Sequence, residues 1–199
     1  MKILFFVFLL TAFAFAQSAE PYTIDSDALG ETSDTYRLNH EDERQDCIVN
    51  PGADRFTDES TPGLKACTTS GIKQPMTFAG VKVESRLVRF DDEKLYEMVY
   101  RFNSASLSKE AYGVYYDQLR VALIEKYGKP AEEQHMDSAD AGDSHSRNET
   151  ATWKNGLTTI VLKKFVGDRY TTTITFSLDK LEEDARHQIE VTRQHRSEM

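Results

Sequence analysis

Basic charge is scarce in this sequence, cysteine is almost absent, and no recognised catalytic signature is present. Each shortage removes a class of protein. Lys and Arg number 24 against 33 Asp and Glu, for a formal charge of −9. That sign repels phosphate backbones and anionic lipid, which excludes a general nucleic-acid binder and a peripheral membrane protein. No Lys/Arg cluster stands outside the C-terminal tail. There is no Gly-x-Ser-x-Gly elbow, no His-Glu-x-x-His helix, no Walker loop and no Rossmann glycine set. Four of the five histidines, His135, His145, His187 and His195, fall in segments that read as loop or tail. The 33 carboxylates form acid pairs everywhere, so none of them singles out a glycosidase. These absences favour a chain that is not an enzyme.

Only two cysteines occur, Cys47 and Cys67, too few for a zinc site and not in a Cys-x-x-Cys pair. Apolar runs are equally scarce, and the one pronounced run lies within the first sixteen residues. Met1-Lys2, the run Ile3 to Leu10, and small residues at Ala14 and Ala16 make a secretory signal peptide over 1–16. The run is too short to span a bilayer, and no cysteine follows the cleavage point to carry a lipid. The expected mature chain begins at Gln17, carries −10, and is periplasmic or secreted, with no membrane span. In such an oxidising compartment Cys47 and Cys67 pair by default. Closing about twenty residues stabilises a fold by roughly 3 kcal/mol on the chain-entropy view.

Composition and pattern divide the rest. Residues 17–80 read as an N-terminal arm holding the Cys47–Cys67 loop, with a short helix capped by Thr32 or Ser33. The acidic run Glu41-Asp42-Glu43 reads as a solvated helix end. Residues 81–177 read as the core. Val81 and Val83 alternate with polar neighbours, a change of phase places a bulge near Arg86, and Asp91-Asp92-Glu93-Lys94 makes a turn. Tyr96, Met98, Tyr100 and Phe102 then face the core from one side of a strand. A helix over 107–127 follows, with a stripe of Ala111, Tyr115, Leu119 and Ala122 widened by Tyr112 and Leu123, and it stops at Gly128 and Pro130. Val114, Val121 and Ile124 lie on its back, which predicts a second covering element.

Residues 131–148 read as a flexible polar loop. Its His135, Asp137, Asp143 and His145 are the only candidate metal ligands, though Ala139 and Ala141 occupy positions an EF-hand would give to oxygen donors. Asn148-Glu149-Thr150 is a glycosylation triplet, meaningful in a eukaryotic host. A three-stranded meander follows, with Trp153 on its first strand, Asn155-Gly156 at the first turn and Gly167-Asp168 at the second. Residues 178–199 form a helix with the narrow stripe Leu178, Leu181, Ala185 and Ile189, then a fraying tail. That helix must dock on its own domain or on a partner.

The expected fold is therefore α+β: an antiparallel sheet of about five strands with one long helix on a face, a disulfide-closed arm, and a C-terminal helix. The succession Cys47…Cys67, Phe78-Ala79-Gly80, Tyr100-Arg101-Phe102, Lys126-Tyr127-Gly128-Lys129-Pro130, Trp153 and Ile160-Val161-Leu162 resembles small uncharacterised bacterial exported proteins. The resemblance implies an α+β domain outside the cytoplasm and implies no activity, cofactor or catalytic residue. The function expected from all this is an exported, non-enzymatic binding or envelope-associated module, meeting a protein partner through its sheet face or C-terminal helix. Two alternatives stand beside it: a hydrolase using carboxylates in a sheet-side cleft, and metal binding by the 135–145 loop.

Overall fold

The computed structural model describes residues 22, 27–49, 64–69, 77–103, 109–136, 148–165 and 171–197. Among the described residues, ten strands and three helices follow in the order α1 (Ser33–Asn39), β1 (Gln45–Val49), β2 (Leu64–Thr69), β3 (Thr77–Phe78), β4 (Val81–Lys82), β5 (Ser85–Asp91), β6 (Lys94–Asn103), α2 (Lys109–Tyr127), β7 (Glu132–Met136), β8 (Asn148–Lys154), β9 (Thr158–Phe165), β10 (Thr171–Leu178) and α3 (Asp179–Ser197). Eight strands form one antiparallel sheet in the order β1-β2-β5-β6-β10-β9-β8-β7, and β3-β4 make a separate ribbon.

This corrects the expectation of five strands and one long helix. The supposed arm supplies β1 and β2, which join the sheet through β5. The supposed loop supplies β7, paired with β8 from Glu132↔Thr152 to Met136↔Asn148. Edge strands are held by backbone hydrogen bonds on one side only, so polar sequences such as Glu132-Glu133-Gln134 can form them without apolar alternation. Two helices of 19 residues each, α2 and α3, lie on opposite faces of the sheet.

Chain order explains the topology. The hairpins β1-β2 and β5-β6 form one half, α2 crosses over, and the meander β7-β8-β9-β10 returns until β10 pairs with β6. Local signals set the corners. Gly128 has φ +81 and its N–H bonds Ile124 O at 2.9 Å, ending α2. The Trp153 indole then donates to Gly128 O at 2.7 Å, tying the helix end to β8. Asn155 Oδ1 accepts from the N–H groups of Leu157 and Thr158 at 3.0 and 2.9 Å, and Gly156 takes φ +86. The Gly167-Asp168 turn lies outside the described residues.

The β5-β6 turn is Asp92-Glu93, both at positive φ, 44° and 65°. Neither residue is glycine, so the turn needs outside support. The start of α1 provides it: Ser33 N–H bonds Glu93 O at 2.8 Å, the Ser33 hydroxyl donates to the Glu93 carboxylate, and Leu95 exchanges with Gly30 and Glu31 at 2.7 and 2.9 Å. Thr32 caps α1 as the sequence suggests.

The bulge falls between Arg89 and Phe90, not near Arg86. Leu95 pairs with Phe90 and Glu97 with Arg89, which leaves Tyr96 as the extra residue. This changes which side chains face the core. Leu95, Met98, Tyr100 and Phe102 point to the α2 side, while Tyr96 turns to the other face beside Leu64 and Ala185. The main core combines these with Val88, Phe90, Ile160, Leu162, Trp153, Ile174 and Phe176, closed by Tyr116, Leu119 and Leu123 of α2. Tyr116 thus replaces the expected Tyr115 at the centre of the helix stripe.

The back of α2 stays uncovered by any described element: Val114 is 64% and Val121 50% exposed. α3 does not cover it: that helix packs on the far face of the sheet, through Leu181, Ala185 and Ile189 on Leu64 and Tyr96. Leu178, half-buried, packs against the main core.

Candidate functional site

Three groups of charged side chains are brought together from distant parts of the chain, and they differ in what they can do. The first is enclosed. Arg86, 2% exposed, carries Asp27, His40 and Glu43 around its guanidinium and the Tyr36 ring over it at 5.3 Å. Arg86 donates to His40 Nδ1 at 3.1 Å, so that nitrogen accepts and Nε2–H donates to Asp27 Oδ1 at 2.7 Å. Burial pushes the Tyr36 phenol well above its ordinary range. Glu43, read from sequence as solvated, is half-buried here and pairs with Arg86. This group ties the segment around α1 to β5 and has no nucleophile poised on its histidine.

The second group holds α2 to the sheet. Lys164 is buried, bonds Glu149 at 2.9 Å and lies 5.5 Å from the Tyr116 ring centre. Arg120 reaches from α2 to Glu133 on β7, its Nε donating at 2.8 Å. Each charge has its counter-charge, so the arrangement is a clamp.

The third group is concave and open, and it is the candidate site. α3 leaves β10 directly and packs on the sheet's outer face through Leu64 of β2 and Tyr96 of β6. Between helix and sheet runs a groove of about 590 Å³. Thr159, Val161, Thr175 and Ser177 form its floor, from β9 and β10; Asp179, Glu182, Glu183 and Arg186 form its wall, from α3. A smaller cavity of about 280 Å³ adjoins it beside Tyr96 and Arg89. Glu97, Glu182 and Arg186 line both.

Glu97 is the deepest of these groups at 8% exposure. Burial raises its carboxyl above the ordinary range; Arg89, its ion-pair partner, pulls it back, and Glu182 adds to the rise. The Glu182 carboxylate accepts from Arg186 Nε at 3.0 Å. Burial also pushes the Tyr96 phenol up to about 12. In a separate cavity beside α3, Asp91 accepts from Gln188 at 3.2 Å, and burial raises its carboxyl as well. The site is therefore acidic on balance: Glu97, Asp179, Glu182 and Glu183 face Lys154 and Arg186.

The sequence-derived candidates fare differently. Cys47 and Cys67 are bonded. Among the described residues no group of three or more His, Cys, Asp and Glu could hold a metal ion. Asp137, Asp143 and His145 lie outside the described residues, and His135 is placed in β7 by its backbone. No described helix is long and apolar enough to cross a membrane. No family model, no curated protein and no solved structure matches this chain.

Proposed function

We propose that this chain is an exported binding module whose ligand site is the groove between the outer sheet face and α3, and that it takes a cationic segment of a partner protein. The observation that carries this reading is the groove's charge: Glu97, Asp179, Glu182 and Glu183 outnumber Lys154 and Arg186 even with Arg89 of the adjoining cavity paired to Glu97, in a cleft floored by threonine, serine and valine. Hydroxyls on the floor offer hydrogen bonds to a polar backbone, and the surplus carboxylates attract lysine or arginine side chains. Among the described residues the groove holds no histidine and no thiol, and Glu97 and Glu182 are already ion-paired, which suits binding better than turnover. Calorimetry with an oligolysine peptide tests it. Binding should weaken as salt rises, vanish in Thr175→Trp, which fills the floor, and be absent with oligoglutamate. No uptake of oligolysine, or uptake indifferent to Thr175→Trp, would sink the reading.

One observation favours the rival, a carboxylate hydrolase: Glu97 has a raised carboxyl beside Glu182 in the same cleft, a pairing that general acid–base chemistry uses. The Glu97→Gln variant separates the two readings. A binding groove keeps most of its affinity, whereas a hydrolase loses turnover while the fold stays intact.

A further inference from the structure

The geometry of the first two strands points to a chemical site that stability alone does not explain: we infer that the Cys47–Cys67 bridge undergoes thiol–disulfide exchange with a dithiol reductant, entered through the Cys47 sulfur. Cys47 and Cys67 face each other directly across the β1-β2 ladder, and β1 is the outermost strand at that side of the sheet. The two partners sit in unlike surroundings. Cys67 is buried in the main core opposite Val88, while Cys47 is exposed. An attacking thiolate therefore approaches the bridge from the Cys47 side. Bridges with an exposed sulfur are the exchangeable ones, in contrast to staples enclosed by the core.

The step balances without any group beyond the reductant. A thiolate of the dithiol attacks Cys47 Sγ, the disulfide breaks, and its electron pair leaves on Cys67 Sγ, which takes up a proton. The second thiol of the reductant then loses its proton and attacks the mixed disulfide. Cys47 leaves as thiolate and is protonated. Two electrons and two protons have moved to the protein, and the reductant has become a disulfide. The far end of β1 stays anchored, because Glu43, just before it, remains paired with Arg86. Reduction thus loosens the Val49 end and uncovers the β2 edge, a row of backbone groups open to a new strand.

The test uses the full chain without denaturant. It is treated with dithiothreitol, quenched with iodoacetamide at intervals and mapped by mass, while the global unfolding rate is read from the single tryptophan, Trp153. Reduction should run much faster than unfolding, leave Trp153 buried, and raise amide exchange in β1 and β2 alone. In single-thiol variants, Cys47 in Cys67→Ser should react with an aromatic disulfide at least about tenfold faster than Cys67 in Cys47→Ser. Reduction that proceeds only at the unfolding rate, or a reduced chain that unfolds throughout, would overturn the inference; neither reading depends on the variants folding.

Discussion

At the scale of single residues, buried charge decides how this protein responds to pH. Burial holds the Glu97 carboxyl above its ordinary 4.5 despite Arg89. Between 4.5 and that raised value the folded chain holds more protons at this position than the unfolded chain does. Its contribution to stability therefore falls as pH rises through that window. Glu97→Gln removes the titration, so the variant should gain on the wild type at neutral pH and lose that advantage below 4.5. Urea denaturation of both proteins across this range checks it; a difference that is flat, or larger in acid, would refute it. Arg86 makes the opposite case. Replacing it with alanine removes the cation that faces Asp27 and Glu43 and leaves Asp27 only its His40 hydrogen bond, and breaking a buried pair of this kind costs about 3–5 kcal/mol. The denaturation midpoint of Arg86→Ala should fall accordingly. Neither residue was legible in the sequence. Arg86 is a charged residue at an inward position of β5 whose partners Asp27, His40 and Glu43 come from far earlier in the chain. Glu97 is one of 33 acids, paired with Arg89 only through the β5-β6 register.

At the scale of elements, the narrow stripe of α3 makes its docking testable. Leu181 packs in the small cluster with Leu64, Tyr96, Ala185 and Ile189, so Leu181→Ala should destabilise the monomer by about 1–3 kcal/mol, less than a fully enclosed leucine. Val121, on the bare back of α2, should tolerate alanine within about 0.5 kcal/mol. If the two values were reversed, the assignment of α3 to the outer face would fail. Gly128 isolates a purely conformational term, since its φ is +81 and nothing lies within 4 Å of an added Cβ. Gly128→Ala should cost about 1 kcal/mol with no steric contribution. Elements with local signatures were legible in this way: the Thr32 cap, the Gly128 stop, the Asn155-Gly156 turn and the alternation of β10. The side on which α3 docks was not, because a helix stripe says that a surface is buried without saying against what. Strands β1, β2 and β7 were missed for a related reason: their pairing is made by backbone groups that any sequence possesses.

At the scale of the whole molecule, the two apolar clusters are unequal, and that inequality governs which part opens first. The main core joins both halves of the sheet across β6 and β10 and is closed by α2, with Phe176 in aromatic contact with Phe78, Tyr100 and Tyr127 at 6.5, 6.1 and 6.2 Å. The cluster under α3 has three buried members, Leu64, Tyr96 and Ala185, with Leu181 and Ile189 beside them. Opening free energy follows buried apolar contact, so α3 should form its own low-stability unit above a far more protected sheet. Native-state amide exchange is the measurement: amides of α3 should exchange through a sub-global opening, while those of β6 and β10 exchange only with global unfolding. Phe176→Ala, at about 3–5 kcal/mol, should lower protection in β6, β10 and α2 together. Leu181→Ala should lower it in α3 and leave the free energy of the central strands' exchange changed only by the shared global term. The groove lies beneath the unit that opens most easily, so a ligand held there would raise α3 protection selectively. Equal protection across α3 and β10 in the free protein would instead make the helix a fixed wall, and entry to the groove would then have to come from its open side.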